Sequence, residues 1–162
     1  MIYIPLNAGK VRDIAIEENG ERFALACQDG TVRVFESSYF NGVSTINAHK
    51  EGATSVLFHG DQVISGGKDA MIRSWNLSDE SNLLEIPAHN YAVYGINQVG
   101  DSIVSISRDK TVKTWTNQLG FSKRLDLKEG GHRHSVNDMV VLNENEFATV
   151  GDDKRIIIWS RI

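Results

Sequence analysis

Residues 89–115, HNYAVYGINQVGDSIVSISRDKTVKTW, decide the fold of this chain. A histidine opens the stretch, Asp109 follows it after 20 residues, and Trp115 follows the aspartate after six more. The same order occurs in two further copies, His49–Asp69–Trp75 and His132–Asp153–Trp159, while a fourth copy near the start keeps Asp29 and carries Phe35. The aromatic positions 35, 75, 115 and 159 are 40, 40 and 44 residues apart. A period of this length indicates an array of small units, none of which can bury a core alone.

Each repeat contains short β-type runs separated by residues that favour tight turns. In the third repeat these runs are Val93–Gln98, Ser102–Ile106, Thr111–Trp115 and Lys123–Leu127. Four antiparallel strands in about 40 residues is the size of one propeller blade. No segment has a sustained 3.6-residue apolar period, so we expect almost no helix. The sequence therefore predicts an all-β fold, a β-propeller of four four-stranded antiparallel blades, in a single domain over residues 1–162.

The two ends of the chain differ from the inner repeats. The last repeat has only three predicted strands, near Val136–Leu142, Glu146–Val150 and Arg155–Ser160. At the start, Ile2–Asn7 aligns with Leu84–His89, which is the fourth strand and following turn of the second repeat. We therefore expect residues 2–6 to complete the last blade, in cis or from a second chain, because natural sheets avoid bare edges.

Composition excludes several classes of protein. The 162 residues are 41% hydrophobic and carry a net charge of −4, which argues against a nucleic-acid-binding surface and for a soluble domain. No apolar run approaches the roughly 18 residues that span a bilayer, so no membrane partner is expected. The first residues lack a basic n-region, which makes a signal peptide an unfavoured interpretation. The single cysteine, Cys27, favours a cytoplasmic location.

These repeats resemble the WD40 repeat family over nearly the whole chain. In that family a His, a Ser or Thr, an Asp and a Trp form a hydrogen-bonded tetrad in each blade. The resemblance implies three complete structural tetrads: His49–Ser65–Asp69–Trp75, His89–Ser105–Asp109–Trp115 and His132–Thr149–Asp153–Trp159. A buried Asp needs such partners, because an unpaired buried polar group costs about 1–3 kcal/mol. In the first blade Asn7, Leu25 and Phe35 replace the His, Ser and Trp, which puts a tetrad there in doubt.

The chemistry of the histidines and carboxylates favours a structural interpretation. The tetrad histidines occupy equivalent positions of different blades, so a shared metal site is not expected. Gly131-His132-Arg133-His134 could place two imidazoles together, but two ligands without a nearby cysteine are a weak zinc signal. No glycine-rich phosphate loop precedes a helix. We therefore predict no catalytic residue, no metal, no cofactor and no enzymatic activity.

The resemblance also implies a partner-binding face. In WD40 propellers the loops that carry His and Asp open on one side, called the top face, and partners often dock there. The positions carried over from the family as the partner-binding set are Lys10, Arg12, Gln28, Thr54, Lys68, Tyr94, Arg108, Asn137 and Asp152. Four residues of this set are basic and one is acidic, so we expect a protein or peptide partner that is acidic or phosphorylated, with Arg12 and Arg108 as bidentate anchors. Ordinary solvated side chains are the alternative interpretation.

A second surface carries two adjacent aromatics. The loop Ser37–Gly42 lies on the opposite face and contains Tyr39 and Phe40. Exposed aromatics can mark an interface. They can equally fold back onto their own blade.

Four blades leave the closure of the ring open. WD40 propellers mostly have seven or eight blades, and a ring of four would need about 90° between neighbours. We expect two chains to join head to tail with two-fold symmetry into an eight-bladed homodimer. The alternatives are a four-bladed monomer and a half-propeller fragment of a larger protein. The predicted function is an interaction scaffold, and the alternative is an enzyme or small-ligand binder that uses the central channel.

Overall fold

The computed structural model describes residues 1–160 and contains four antiparallel sheets, which we call blades 1 to 4. Blade 1 holds β1 (Val11–Ile16), β2 (Arg22–Cys27), β3 (Thr31–Glu36) and β4 (Gly42–Asn47). Blade 2 holds β5 (Ala53–His59), β6 (Gln62–Gly67), β7 (Met71–Asn76) and β8 (Asn82–Pro87). Blade 3 holds β9 (Val93–Val99), β10 (Ser102–Ser107), β11 (Val112–Thr116) and β12 (Phe121–Leu125). Blade 4 holds β13 (Val136–Asn143), β14 (Glu146–Gly151) and β15 (Ile156–Ser160).

The strands of each blade follow one another as a simple meander. The sheet order is β1-β2-β3-β4 in blade 1, and blades 2 and 3 repeat that order. The first strands of the blades, β1, β5, β9 and β13, lie side by side in sequence order around a central channel. The all-β, four-bladed propeller arrangement predicted from the repeats is therefore confirmed.

The same tight turn joins the second and third strands of every blade. The residue after the Asp that recurs in all four repeats has a positive φ in each: 91° at Gly30, 64° at Ala70, 72° at Lys110 and 62° at Lys154. The Asp side chain holds this turn by accepting a hydrogen bond from an amide two residues on, as Asp109 does from Thr111 at 3.0 Å. A local bond of this kind favours a turn over continued strand.

The hydrophobic core lies between neighbouring blades. One face of each inner blade packs on the blade before it and the other on the blade after it. Trp75 of blade 2 packs with Ala24 and Val34 of blade 1, and Trp115 of blade 3 packs with Ile64 and Ile72 of blade 2. Trp159 continues the series against blade 3. The repeats stabilise one another, as their size requires.

Hydrogen bonds across the channel side link the first strands. The Asp13 carboxylate accepts from the Ser55 hydroxyl at 2.9 Å and from the Val56 amide at 3.0 Å. The Ser55 Oγ in turn accepts from the amide of Ile96 at 2.9 Å. These bonds join blades 1, 2 and 3, and they engage the Asp13 carboxylate that faces the channel.

Two segments differ from the sequence prediction. The fourth strand of blade 3 ends at Leu125 rather than Leu127, because Asp126 caps a short 3₁₀ turn, Leu127–Glu129, by accepting from the Lys128 amide at 2.9 Å. The segment that contains this turn supplies three of the four extra residues in the 44-residue spacing before Trp159, since His89 and His132 are 43 residues apart and His49 and His89 are 40 apart. Residues 2–6 form no strand in this single chain, and blade 4 has three strands among the described residues. Within residues 1–160, no helix is long and apolar enough to cross a membrane.

Candidate functional site

The residues of the predicted tetrad in blade 3 form one continuous hydrogen-bonded chain. The Trp115 indole donates to the Ser105 Oγ at 2.9 Å, and this hydroxyl lies 2.8 Å from His89 Nε2. The other imidazole nitrogen, Nδ1, lies 3.0 Å from Asp109. Asp109 also accepts from the backbone amide of Asn90 at 3.0 Å. The chain thus ties the second strand, the third strand and the loop between blades to one turn.

Blades 2 and 4 contain the same arrangement. In blade 2 the distances are 3.0 Å from Trp75 to Ser65, 2.9 Å from Ser65 to His49 and 2.9 Å from His49 to Asp69. In blade 4 they are 2.8 Å from Trp159 to Thr149, 2.9 Å from Thr149 to His132 and 2.8 Å from His132 to Asp153. The structure therefore brings together all twelve residues of the three sets.

The electrostatics of the tetrads suit a neutral imidazole beside an ionised carboxylate. Burial lowers the pKa of His89 below its usual value, and the nearby Asp109 opposes this shift without reversing it. Burial alone would raise the pKa of Asp109, but His89, Thr111 and the Asn90 amide together outweigh it and hold that pKa well below its usual range. In blade 4 the Arg133 amide and His132 overcome the effect of burial and lower the pKa of Asp153 to about 2. These groups are engaged with one another, which agrees with a structural role.

Blade 1 holds its turn differently. Asp29 accepts from the Thr31 amide at 3.0 Å and pairs with the Arg33 guanidinium at 2.9 Å. Leu25 and Phe35 fill the Ser and Trp positions of the tetrad as part of a buried apolar cluster, and Phe35 stacks on Phe23 with a centroid distance of 5.3 Å.

Sequence reasoning missed the arginine that supports these turns. Arg33 lies four residues after Asp29, and Arg73 takes the same place after Asp69, at 2.7 Å from its carboxylate. The spacing was visible in the sequence. Because the Asp lies in the turn and the Arg lies in the strand that follows, a spacing of four residues brings the guanidinium to the carboxylate.

The top face has an open depression of about 830 Å³ at the mouth of the channel. Its lining includes six of the nine residues predicted for partner binding. These are Arg12, Thr54, Lys68, Tyr94, Arg108 and Asn137. They come from all four blades, so only the assembled propeller brings them together.

The other predicted residues lie away from this depression. Lys10 and Gln28 lie together on blade 1, where the Lys10 amide donates to the Gln28 side chain at 3.3 Å. Asp152 accepts a hydrogen bond from Asn137 at 2.6 Å. Thr54, although it lines the depression, donates its hydroxyl to the backbone carbonyl of Gly66 at 2.9 Å. Some of the residues predicted for partner binding are thus already engaged in hydrogen bonds within this chain.

The depression carries uncompensated positive charge. Arg12, Lys68 and Arg108 are exposed, and none forms an ion pair with another of residues 1–160. The lining also contains Glu51 and Asp69, but Asp69 is already paired with Arg73 at 2.7 Å, so positive charge predominates among the unpaired groups. Tyr91, which the sequence did not single out, lies beneath the Arg108 guanidinium, 5.8 Å from its centroid. A cation over a tyrosine ring is held in a preferred position by attraction to the π system.

The opposite mouth of the channel is acidic. An open cavity of about 1140 Å³ is lined there by acidic residues from the turns between first and second strands: Glu17, Glu18, Asp61, Asp101 and Glu144. Within the described part of the chain, no group of three or more His, Cys, Asp or Glu is placed to hold a metal ion. On this side Phe40 tilts onto Phe23 at 6.4 Å, whereas Tyr39 stays exposed.

Comparison with known families identifies the repeats. The family described as "WD domain, G-beta repeat" matches residues 40–76, 80–116 and 125–160. The chain belongs to the WD40 repeat family. The matched stretches cover the three complete tetrads and omit most of blade 1, whose WD40 residues are replaced. A comparison with curated proteins finds no match.

Solved structures with the same fold include two designed proteins. The crystal structure of the computationally designed Ika4 protein has a TM-score of 0.79 at 20% identity, and the match covers 94% of this WD40 chain and 91% of that chain. The crystal structure of the computationally designed Ika8 protein has a TM-score of 0.76 at 20% identity, covering 93% of this chain and 45% of that chain. The four WD40 blades thus match both a chain of similar length and about half of a longer one.

The outer faces of the two end blades are apolar and exposed. Ile14 of blade 1 is 64% exposed, whereas Val56, at the equivalent position of blade 2, is 3% exposed because blade 1 covers it. Ile156 of blade 4 is 72% exposed, whereas its equivalent Ile72 is fully buried against blade 3. In a ring closed by four blades these two faces would cover each other. Each outer face therefore has the surface of a blade that lacks its neighbour.

Proposed function

We propose that this WD40 propeller is a non-catalytic interaction scaffold whose top-face depression binds an acidic or phosphorylated segment of a partner protein. The observation that supports the proposal is the set of three cations, Arg12, Lys68 and Arg108, at the mouth of the channel without acidic partners among the described residues. A concave site lined by charges of one sign concentrates the electric field, and a cluster of cations therefore favours an anionic ligand.

The side chains of the depression suit phosphate or carboxylate groups. A guanidinium donates two parallel hydrogen bonds to such a group, which gives orientation as well as affinity. Tyr91 already holds Arg108 in place, and Tyr94 adds an aromatic surface in the lining. Tyrosine and arginine are the residue types that dominate binding energy at many protein interfaces.

The binding proposal can be tested with an array of phosphorylated peptides, their unphosphorylated forms and forms with glutamate in place of the phosphorylated residue. We expect the protein to retain phosphorylated or acidic peptides, and Arg12→Glu/Arg108→Glu to lose about 100-fold or more in affinity, since two charge-assisted contacts are reversed. Binding should also weaken as salt is raised.

A matched control separates the site from the overall charge. Lys123→Glu/Lys128→Glu changes the net charge by the same amount on exposed residues outside the depression. Its affinity should stay within about two-fold of the unchanged protein, because distant exposed charges are screened. Equal losses in both variants, or no preference for acidic peptides, would overturn the proposal.

We further propose that two copies join head to tail into an eight-bladed ring. We also propose that the protein is located in the cytoplasm. The support for the ring is the pair of complementary apolar faces that end the chain, one on blade 1 and one on blade 4. Two-fold symmetry places the blade 4 face of each copy on the blade 1 face of the other and leaves no apolar end uncovered. The likeness of the four blades to about half of the Ika8 chain supports a ring of twice this size.

Sedimentation equilibrium tests the assembly. We expect a mass near twice 18.0 kDa for the unchanged protein and near 18.0 kDa for Ile156→Glu, which places a charge on the apolar face of blade 4. Leu83→Glu makes the same change at an exposed position on the outermost strand of blade 2 and should leave the dimer intact. A single-chain mass for the unchanged protein at all concentrations would contradict the ring.

A further inference from the structure

We infer that the segment Ile2–Leu6 of one copy adds to β15 of a second copy as an antiparallel fourth strand, with Ile4 opposite Ile156. This inference rests on the proposed head-to-tail ring and specifies what joins its two halves. The occupant of the β15 edge is thus a named segment of the same protein.

The register follows from the equivalent strands of blade 2. There Met71 pairs with Pro87, Ile72 with Ile86 and Ser74 with Leu84. Counting from the Asp of each turn, Ile156 takes the place of Ile72, and the alignment of Ile2–Asn7 with Leu84–His89 puts Ile4 in the place of Ile86. Ile2 then lies opposite Ile158, so the isoleucines of both strands occupy one face of the completed blade.

A backbone carbonyl marks the end of the docked strand. In blade 1 the carbonyl of Gly30 accepts hydrogen bonds from the amides of Ala48 and His49 at 3.0 and 2.9 Å. In blade 2 the carbonyl of Ala70 accepts from the two amides that follow β8, both at 3.1 Å. Lys154 has the same left-handed φ as Ala70, so its carbonyl is presented in the same way. In the alignment, the amides that would donate to the Lys154 carbonyl are those of Leu6 and Asn7.

The two strands have the composition that this pairing needs. β15 begins with Ile156-Ile157-Ile158, and pairs on one side only among the described residues. An apolar edge of this kind pairs readily with another chain. The incoming segment has Pro5 next to its last residue, in the place of Pro87 at the end of β8. Proline is tolerated on an outermost strand, where one side of the backbone needs no partner.

The path of the N-terminal segment favours exchange between copies over pairing within one chain. Ala8 is buried against blade 1, where its carbonyl accepts from the Asp29 amide at 3.2 Å, and Leu6 packs against the same apolar cluster. The segment therefore leaves blade 1 on its outer side, where Ile14 and Ile16 are exposed. No blade of the same chain covers that side, and it is the side on which the ring places blade 4 of the second copy.

Cysteine cross-linking tests the exchange and its register. Ile4→Cys and Ile156→Cys are made in separate chains that carry different affinity tags and are co-expressed. Directly opposite residues of antiparallel strands have Cα atoms about 4.5–5.5 Å apart, within the range that a disulfide spans. We expect oxidation to give a covalent dimer carrying both tags. The native Cys27 is buried, and the unchanged protein serves as its control.

The register and the source of the strand have their own controls. Ile4→Cys with Ile158→Cys offsets the pair by two residues, about 7–8 Å on the diagonal, and should give only traces of covalent dimer. A chain that carries both Ile4→Cys and Ile156→Cys and forms only an intrachain disulfide would show pairing in cis and overturn the inference. A dimeric mass without any cross-link would also overturn it while leaving the proposed ring standing, whereas a single-chain mass would remove the ring itself.

Discussion

Blade 3 and blade 1 share one strand order and one turn, but they fix that turn in different ways. In blade 3 the buried imidazole of His89 connects Asp109 to Ser105 and Trp115. In blade 1 an exposed ion pair between Asp29 and Arg33 holds the carboxylate, and an apolar cluster fills the rest. The blade fold therefore tolerates the loss of the tetrad, provided that the turn keeps a donor for its Asp.

The position of each set in the ring explains the difference. Trp115 packs on blade 2, which covers the hydrogen bonds behind it. Phe35 occupies the same place in blade 1, where no earlier blade of the chain lies in front of it. Hydrogen bonds in a network gain strength where water is excluded. An apolar cluster with stacked phenyl rings, such as Phe23 on Phe35, needs no such protection to keep its geometry.

The largest effect that separates the two blades is expected from removal of the histidine. His89→Ala removes the imidazole from Asp109 and Ser105, so each keeps its other hydrogen bonds but loses one buried partner, and each lost partner costs about 1–3 kcal/mol. We expect a loss of about 3 kcal/mol, which lowers the unfolding midpoint by about 6–12 °C for a domain of this size. Thermal unfolding followed by circular dichroism measures the shift.

Asn7→Ala is the matched control in blade 1. Asn7 is exposed and its side chain makes no hydrogen bond with the other described residues. The variant should lose less than about 1 kcal/mol, as exposed substitutions usually do. Equal losses in the two variants would mean that the hydrogen-bonded chain contributes no more in blade 3 than the isolated turn does in blade 1.

Most of this fold can be predicted from the sequence because each feature of the blade recurs in several repeats. The spacing from His to Asp to Trp locates the strands, and the observed β9 and β10 begin at the predicted Val93 and Ser102 and end one residue later than predicted. The shift of β12 could not be read from the repeat, since the capped turn after Asp126 occurs once and competes with strand on purely local terms. A feature that occurs only once cannot be predicted by comparing one repeat with another.

The candidate site was less predictable than the fold. Family positions brought Arg12 and Arg108 to the depression, because a repeated blade places equivalent residues on one face. They did not reveal Tyr91, which reaches the site through its contact with Arg108. They also could not show that Thr54 is already bonded to Gly66, since that bond depends on how two strands pair. The contacts of a side chain depend on the folded structure, whereas the face on which a residue lies follows from the repeat period.

Acid should act on blades 2 and 3 through their tetrad histidines, His49 and His89. Burial lowers the pKa of His49 and His89, so between pH 7 and pH 5 the unfolded chain binds more protons than the folded one. Stability therefore falls as the pH is lowered through this range. It falls further below about pH 4, because the pKa values of Asp69 and Asp109 are held below that of an unfolded aspartate.

Replacing one histidine sharpens this contrast. His89→Asn copies the residue of blade 1 and removes one group that binds a proton on unfolding, so the free energy of unfolding should depend less steeply on pH between 7 and 5. Urea unfolding at a series of pH values measures the slope. An unchanged slope would show that His89 does not contribute to acid sensitivity, whatever the variant does to stability at neutral pH.

The smallest expected difference concerns the arginines beside the turns. Arg73 contacts both Asp69 at 2.7 Å and Glu85 at 2.6 Å and is largely buried, so Arg73→Ala should cost about 1 kcal/mol. Arg33→Ala removes the cation beside Asp29, but that carboxylate is a third exposed and water replaces the lost partner, so we expect about 0.5 kcal/mol. Urea midpoints at low and high salt compare the two, and only the exposed pair should lose most of its contribution as salt is raised. A larger cost for Arg33 would show that blade 1 depends on this pair because it has no histidine to take over the carboxylate.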